Sequence, residues 1–140
     1  RGGQGSNLPL APDVYGLIET AGGASDRAAR IAAVDALGAS GDPRAVQTLV
    51  QCLQDADSGI RMHAACALRD LPSVRAVGAL IERLLDTREQ SETRVHAAEA
   101  LGRIRSIRAI DPLTRILQEP DDRLREAAKR AVQRIEGAPQ

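Results

Sequence analysis

Apolar residues in this chain return in a fixed phrase. Arg30-Ile-Ala-Ala-Val-Asp-Ala-Leu37 recurs as Arg61-Met-His-Ala-Ala-Cys-Ala-Leu68, as Arg94-Val-His-Ala-Ala-Glu-Ala-Leu101 and, in a weaker form, as Arg125-Glu-Ala-Ala-Lys-Arg-Ala-Val132. The closing residues lie 31, 33 and 31 positions apart. Within each copy the apolar positions fall three and four apart, the spacing of one helix face. A second unit separates the copies: Arg44-Ala-Val-Gln-Thr-Leu49, Arg75-Ala-Val-Gly-Ala-Leu80 and Arg108-Ala-Ile-Asp-Pro-Leu113. It continues at helical spacing through Val46, Leu49, Leu53; Val77, Leu80, Leu84; and Ile110, Leu113, Leu117. A degenerate first copy runs from Val14 to Ala21, with Tyr15 and Ile18 in the places of Val46 and Leu49.

The alternation predicts four helix hairpins. First helices are expected near 12–22, 43–54, 73–86 and 106–118, and second helices near 26–38, 58–71, 91–104 and 122–136. Asp42 followed by Pro43 is a good N-cap and first-turn pair. Each clear copy of the first unit ends at an acid two residues past its last leucine: Asp55, Asp86 and Glu119. The turn at 86–92 is two residues longer than its equivalents, which makes it a candidate exposed loop. A period in this range marks stacked repeats, in which each unit buries its apolar face only against its neighbours.

Composition sharpens this picture. The chain has 140 residues, of which 43% are hydrophobic but only 1% aromatic. Ala, Leu, Ile and Val must therefore fill the interior, as suits helices that approach closely. The 19 basic and 19 acidic residues cancel, which argues against a general nucleic-acid binder. Lys129 is the sole lysine. Arg suits planar, two-pronged contact with carboxylate or phosphate, although a GC-rich bacterial genome also favours Arg codons. Cys52 and Cys66 fall within helical patterns at no metal-binding spacing, so free thiols are expected. No apolar run approaches the about 18–20 residues of a membrane span, and no signal peptide is visible. A cytoplasmic location is the expectation. Residues 1–11 read as a flexible leader or tag remnant and 137–140 as a tail.

The pattern resembles the HEAT repeat, in particular the short HEAT-like repeats of phycobilisome bilin lyases. The residues that carry the resemblance are the acid–x4–apolar–Arg spacing from Asp55 to Ile60-Arg61 and from Glu119 to Leu124-Arg125, with the Ala-Ala-x-Ala-Leu that follows. The longer loop breaks this spacing between Asp86 and Arg94. The resemblance implies an all-α fold, a right-handed α-solenoid of about four hairpins over 12–136, with repeats near 12–38, 43–71, 73–104 and 106–136. It also implies a ladder of acid and Arg between neighbouring repeats. That role falls on Asp55, Arg61, Asp86, Arg94, Glu119 and Arg125.

Turning about 100° per residue along the second helices sorts their remaining positions. One flank holds Ile31 and Val34, Met62 and Ala65, Val95 and Ala98. In the last copy it becomes Glu126 and Lys129, as a terminal cap requires, so the stack is expected to end near Glu136. Another strip holds Asp35; then His63, Cys66 and Asp70; then His96, Glu99 and Arg103; then Arg123, Arg130 and Arg134. In HEAT-like stacks the second helices line the concave face, so the resemblance makes this strip a groove floor. It runs from mildly acidic to strongly basic. Such a gradient orients a partner with an acidic end.

One constellation suggests chemistry. His63 and His96 occupy the same position in adjacent copies, with Cys66 and Glu99 three residues on. His63, His96 and Glu99 are therefore candidate metal ligands. Related HEAT-like hydroxylases use adjacent His-Glu pairs for a di-iron site, but here each His is followed by Ala. No phosphate-binding loop or nucleophile elbow is present. Arg103, Arg105 and Arg108 straddle a turn, as a small anion site or as solvated charge. The expected function is a non-catalytic interaction or scaffold module that needs no cofactor and binds a protein partner, an acidic peptide or helix, in the groove. The alternatives are a bilin-lyase-like chromophore-handling role and a metal-dependent HEAT-like enzyme.

Overall fold

In a computed structural model, residues 13–137 are described. The expected leader at 1–11 and all but Gly137 of the expected tail lie outside them. The described residues form eight α-helices and no strand. They are α1 (Val14–Gly23), α2 (Arg27–Ala39), α3 (Val46–Cys52), α4 (Ser58–Asp70), α5 (Val77–Leu85), α6 (Ser91–Ile104), α7 (Ile110–Ile116) and α8 (Asp122–Ile135). They pair as four hairpins stacked into an α-solenoid.

Capping explains where the helices start. Asp26, Asp57 and Asp121 precede α2, α4 and α8, and each carboxylate accepts backbone N–H bonds from the first turn. Three first helices are shorter than the periodicity predicts. Each is entered through a separate 3-10 turn, at Pro43–Ala45, Val74–Ala76 and Ile107–Ala109. In each, Asp42, Ser73 or Ser106 takes the N–H of the following Arg44, Arg75 or Arg108. These local bonds compete with the helical pattern and set a tighter entry.

Leu37, Leu49, Leu53, Leu68, Leu80, Leu84, Leu101, Leu113 and Leu124 are wholly buried between the two helix rows. Second helices meet one another along their length, whereas first helices touch one another at few places. The second-helix row is thus the tightly packed side of the stack, called here its inner face. Small residues permit the close approach. A Cβ on Gly38 would lie 2.7 Å from Ala67 Cβ, and one on Gly102 would lie 2.8 Å from Ala131 Cα. Arg69 stands at the corresponding place in the middle seam. The flank residues Val34, Ala65, Val95 and Ala98 are buried, while Glu126 and Lys129 are exposed.

Candidate binding cleft

The acidic edge of each repeat organises the stack before any partner does. Arg30 reaches Asp55 at 2.5 Å, Arg61 reaches Glu89 at 2.8 Å, and Arg94 reaches Glu119 at 3.1 Å. Each Arg thus pairs with the acid of the following repeat. These side chains, and Arg125 in the last repeat, also clamp the last turn of their own repeat's first helix or the residues just past it. Arg30 donates to Ala21 O, Arg61 to Asp55 O, Arg94 to Leu84 O and Arg125 to Glu119 O. Those carbonyls have no helical partner, and a cation suits the negative helix end.

Two assignments change. Asp86 does not hold Arg61, because the two extra residues of the turn carry Glu89 into that place. Asp86 instead accepts the N–H of Arg88 and pairs with Arg88 and Arg83. The turn is consequently not an exposed loop throughout: the Glu89 side chain is 0% exposed and bonded by both Arg61 and Arg83. Arg125 meets no later repeat among the described residues and pairs with Asp122 in its own helix.

Burial pushes the Glu89 carboxyl up, but Arg61, the Gln90 N–H and Arg83 outweigh it and hold the group below its ordinary value. Asp55 shows the same balance, with Arg30 and the Asp57 N–H opposing burial. On the neighbouring edge, Arg27 bonds Asp57 at 2.5 Å and brings that carboxyl down to about 2.

The inner strip is a chain of polar contacts at one end and open charge at the other. His63 Nδ1 lies 2.8 Å from Asp35 Oδ1. Arg69 is the hub of the middle: it approaches Cys66 Sγ, His96 Nδ1, Glu99 and Asp70, each at 3.2 Å. His96 is also 3.2 Å from Glu99 and 3.8 Å from Glu92. Burial pushes the Cys66 thiol up. Arg103 donates to Arg69 O and lies 3.7 Å from Asp70.

The candidate metal ligands are not gathered. His63 turns to Asp35 on α2 and His96 to Arg69 and Glu99, so His63 is separated from the other two. Among the described residues no three His, Cys, Asp or Glu side chains stand where they could hold an ion.

Beyond Glu99 the inner face opens into a cleft of about 840 Å³ between α6 and α8. Arg103, Arg123, Arg130 and Arg134 line it over a floor of Val95, Ala127 and Ala131. Among the described residues Arg123, Arg130 and Arg134 make no ion pair. Asp122, Glu126 and Glu99 form its acidic rim. Arg105 and Arg108 lie outside this lining. Arg105 closes α6 with a left-handed backbone at φ 63.

Sequence reasoning missed Arg30, Glu89 and Arg69. Arg30 opens the first phrase and so held the same place as Arg61. Glu89 was findable by counting back six residues from Arg94, as from Arg61 to Asp55, which lands one position away. Arg69 was marked by difference: the first and third copies have Gly38 and Gly102 there.

Comparison with known proteins agrees with this architecture. The family model for HEAT repeats matches residues 15–91 and 79–133. The phycocyanin lyase complex of CpcE and CpcF from Nostoc sp. PCC7120 is 29% identical with a TM-score of 0.78, over 90% of this chain and 53% of that one. Human deoxyhypusine hydroxylase in complex with glycerol is 26% identical with a TM-score of 0.75, over 91% of this chain and 46% of that one. An engineered protein is 25% identical with a TM-score of 0.70, over 89% of this chain and 62% of that one. The chain thus spans about half the length of the lyase and hydroxylase chains. No curated protein matches it. Four stacked hairpins, an inter-repeat acid–Arg ladder and this family match place the chain in the HEAT-repeat family.

Proposed function

We propose that this domain is a non-catalytic interaction module that holds an acidic segment of a partner protein against its inner face. The observation that carries the reading is the α6–α8 cleft. Three exposed arginines without ion pairs among the described residues stand beside an apolar floor. Elsewhere on the strip the charges answer one another. An unanswered cationic row is suited to carboxylates, which Arg binds in a planar, two-pronged way.

A panel of acidic, neutral and basic peptides bound to the immobilised chain tests this. Acidic peptides are expected to be retained, and to be lost from an Arg130→Glu/Arg134→Glu variant that melts like the parent. Retention without regard to peptide charge, or unchanged retention by the variant, would overturn the reading.

A second reading draws on the likeness to the phycocyanin lyase complex. In it, the same arginines hold the propionates of a bilin while His63 or Cys66 approaches the chromophore. Visible absorbance that copurifies after co-expression with bilin would favour it; a colourless product would count against it. The likeness to the hydroxylase carries less, because His63 and His96 turn to different partners and, among the described residues, no three His, Cys, Asp or Glu side chains stand where they could hold an ion.

A further inference from the structure

Arg69 on α4 and Arg103 on α6 also line the cleft but are engaged with Glu99 and Asp70, whereas the arginines without an ion pair among the described residues lie along one helix. Arg123, Ala127, Arg130 and Arg134 follow one another at four, three and four residues on α8. That is one helical face, running about 16 Å at 1.5 Å per residue. A segment that crossed the stack would leave this row after one contact. It would then pass Glu99 and Asp70 on the earlier helices, where Arg69 and Arg103 are already engaged with those acids and offer an incoming carboxylate no unpaired cation. An occupant that meets all three of these arginines therefore runs along α8, in the trough between α8 and α6.

Ala127 interrupts the arginine row. Together with Val95 and Ala131 it makes an apolar notch, in which Val95 and Ala131 are almost wholly buried. Asp122, Glu126 and Glu99 on the rim oppose acids placed anywhere but over the arginines. Asp122 and Glu99 are themselves bonded to Arg125 and Arg69.

We infer that the cleft takes an amphipathic α-helix of a partner, laid along α8, with three acids and one apolar anchor on its contacting face. This rests on the acidic-segment reading above and deepens it. The helix presents acidic–x3–apolar–x2–acidic–x3–acidic, or acidic–x3–acidic–x2–apolar–x3–acidic for the opposite chain direction. Its acids sit over Arg123, Arg130 and Arg134, and its apolar residue enters the notch at Ala127. A helix offers these groups at the pitch α8 presents them, as one helix packs on another.

The test uses fluorescence anisotropy with the full chain and synthetic helical peptides. Two peptides carry the spacings above with Leu as anchor. A third has the same composition with its acids spread around the helix. A fourth keeps the spacing but has a central proline. The expected result is that one in-register peptide binds at least about tenfold more tightly than the spread and proline peptides, roughly 1.4 kcal/mol. Ala127→Leu, which fills the notch without changing charge, is expected to weaken the in-register peptide about fivefold or more while circular dichroism and melting stay the same.

If all acidic peptides bind alike and all are lost in Arg130→Glu/Arg134→Glu, the acidic-segment reading stands and the helical register is overturned. If no acidic peptide binds, both fall. A single-stranded oligonucleotide that displaces the in-register peptide at equal concentration would overturn the proposal in favour of a polyanion site.

Discussion

Glu89 is the residue on which the third repeat turns. It is buried between Arg61 and Arg83, and its removal leaves the half-buried Arg61 guanidinium without its acid and Arg83 with Asp86 alone. Breaking a buried pair from one side costs about 3 kcal/mol or more. Glu89→Ala is therefore expected to lower the unfolding free energy by about that amount in urea titration. Asp86→Ala removes a turn bond to the Arg88 N–H, the exposed Arg88 pair and a long 3.6 Å pair to Arg83, which keeps Glu89, and is expected to cost only about 1 kcal/mol. The order of these two variants separates the observed ladder from one built on Asp86. The same carboxyl fixes a pH response. Its folded value is depressed below the ordinary 4.5, so its contribution is complete above that pH and is lost as pH falls through the folded value. The Asp55 carboxyl, also depressed, acts in the same direction. The melting temperature is expected to fall steadily on acidification below about pH 4.5, and Glu89→Gln to flatten that slope.

At the scale of elements, the seams between second helices decide packing. Ala normally stabilises a helix interior over Gly by about 1 kcal/mol. At Gly38 and Gly102 the sign is expected to reverse, because the added methyl meets Ala67 or the Ala131 backbone. Gly38→Ala and Gly102→Ala are each expected to destabilise by about 1–3 kcal/mol, measured by thermal melting. The helices themselves were legible from Leu and Ala spacing, because one face of each is buried throughout. Their ends were less so. The 3-10 turns at Pro43–Ala45, Val74–Ala76 and Ile107–Ala109 arise from side-chain bonds that apolar periodicity does not report. The ladder was legible where Asp55 and Glu119 keep a fixed distance from Arg61 and Arg125. It was misplaced where the turn lengthens, since spacing cannot tell which of two loop acids folds inward. The strip residues were placed by helical phase alone. That Arg69 ties Cys66, His96 and Glu99 together depends on a side chain one position off the strip.

For the whole molecule, charge separates into an internally answered part and an open part. Binding of an acidic peptide to the α6–α8 cleft is expected to weaken several-fold between low salt and about 0.5 M salt, since exposed pairs are screened over about 10 Å at 0.1 M. Folding stability, anchored on buried Glu89 and Arg94, is expected to change far less, as denaturation at both salt concentrations would show. The ladder has one more consequence. At each of the three joints a cation of one repeat reaches forward to an acid of the next, so the joints carry direction, like couplings on a train. Repeats joined head to tail can be reordered or multiplied as long as both halves of the coupling travel with each unit. The third repeat shows that the acid's exact place in its turn is negotiable. Within one such array, loop length can drift while the order of the units stays readable to its neighbours.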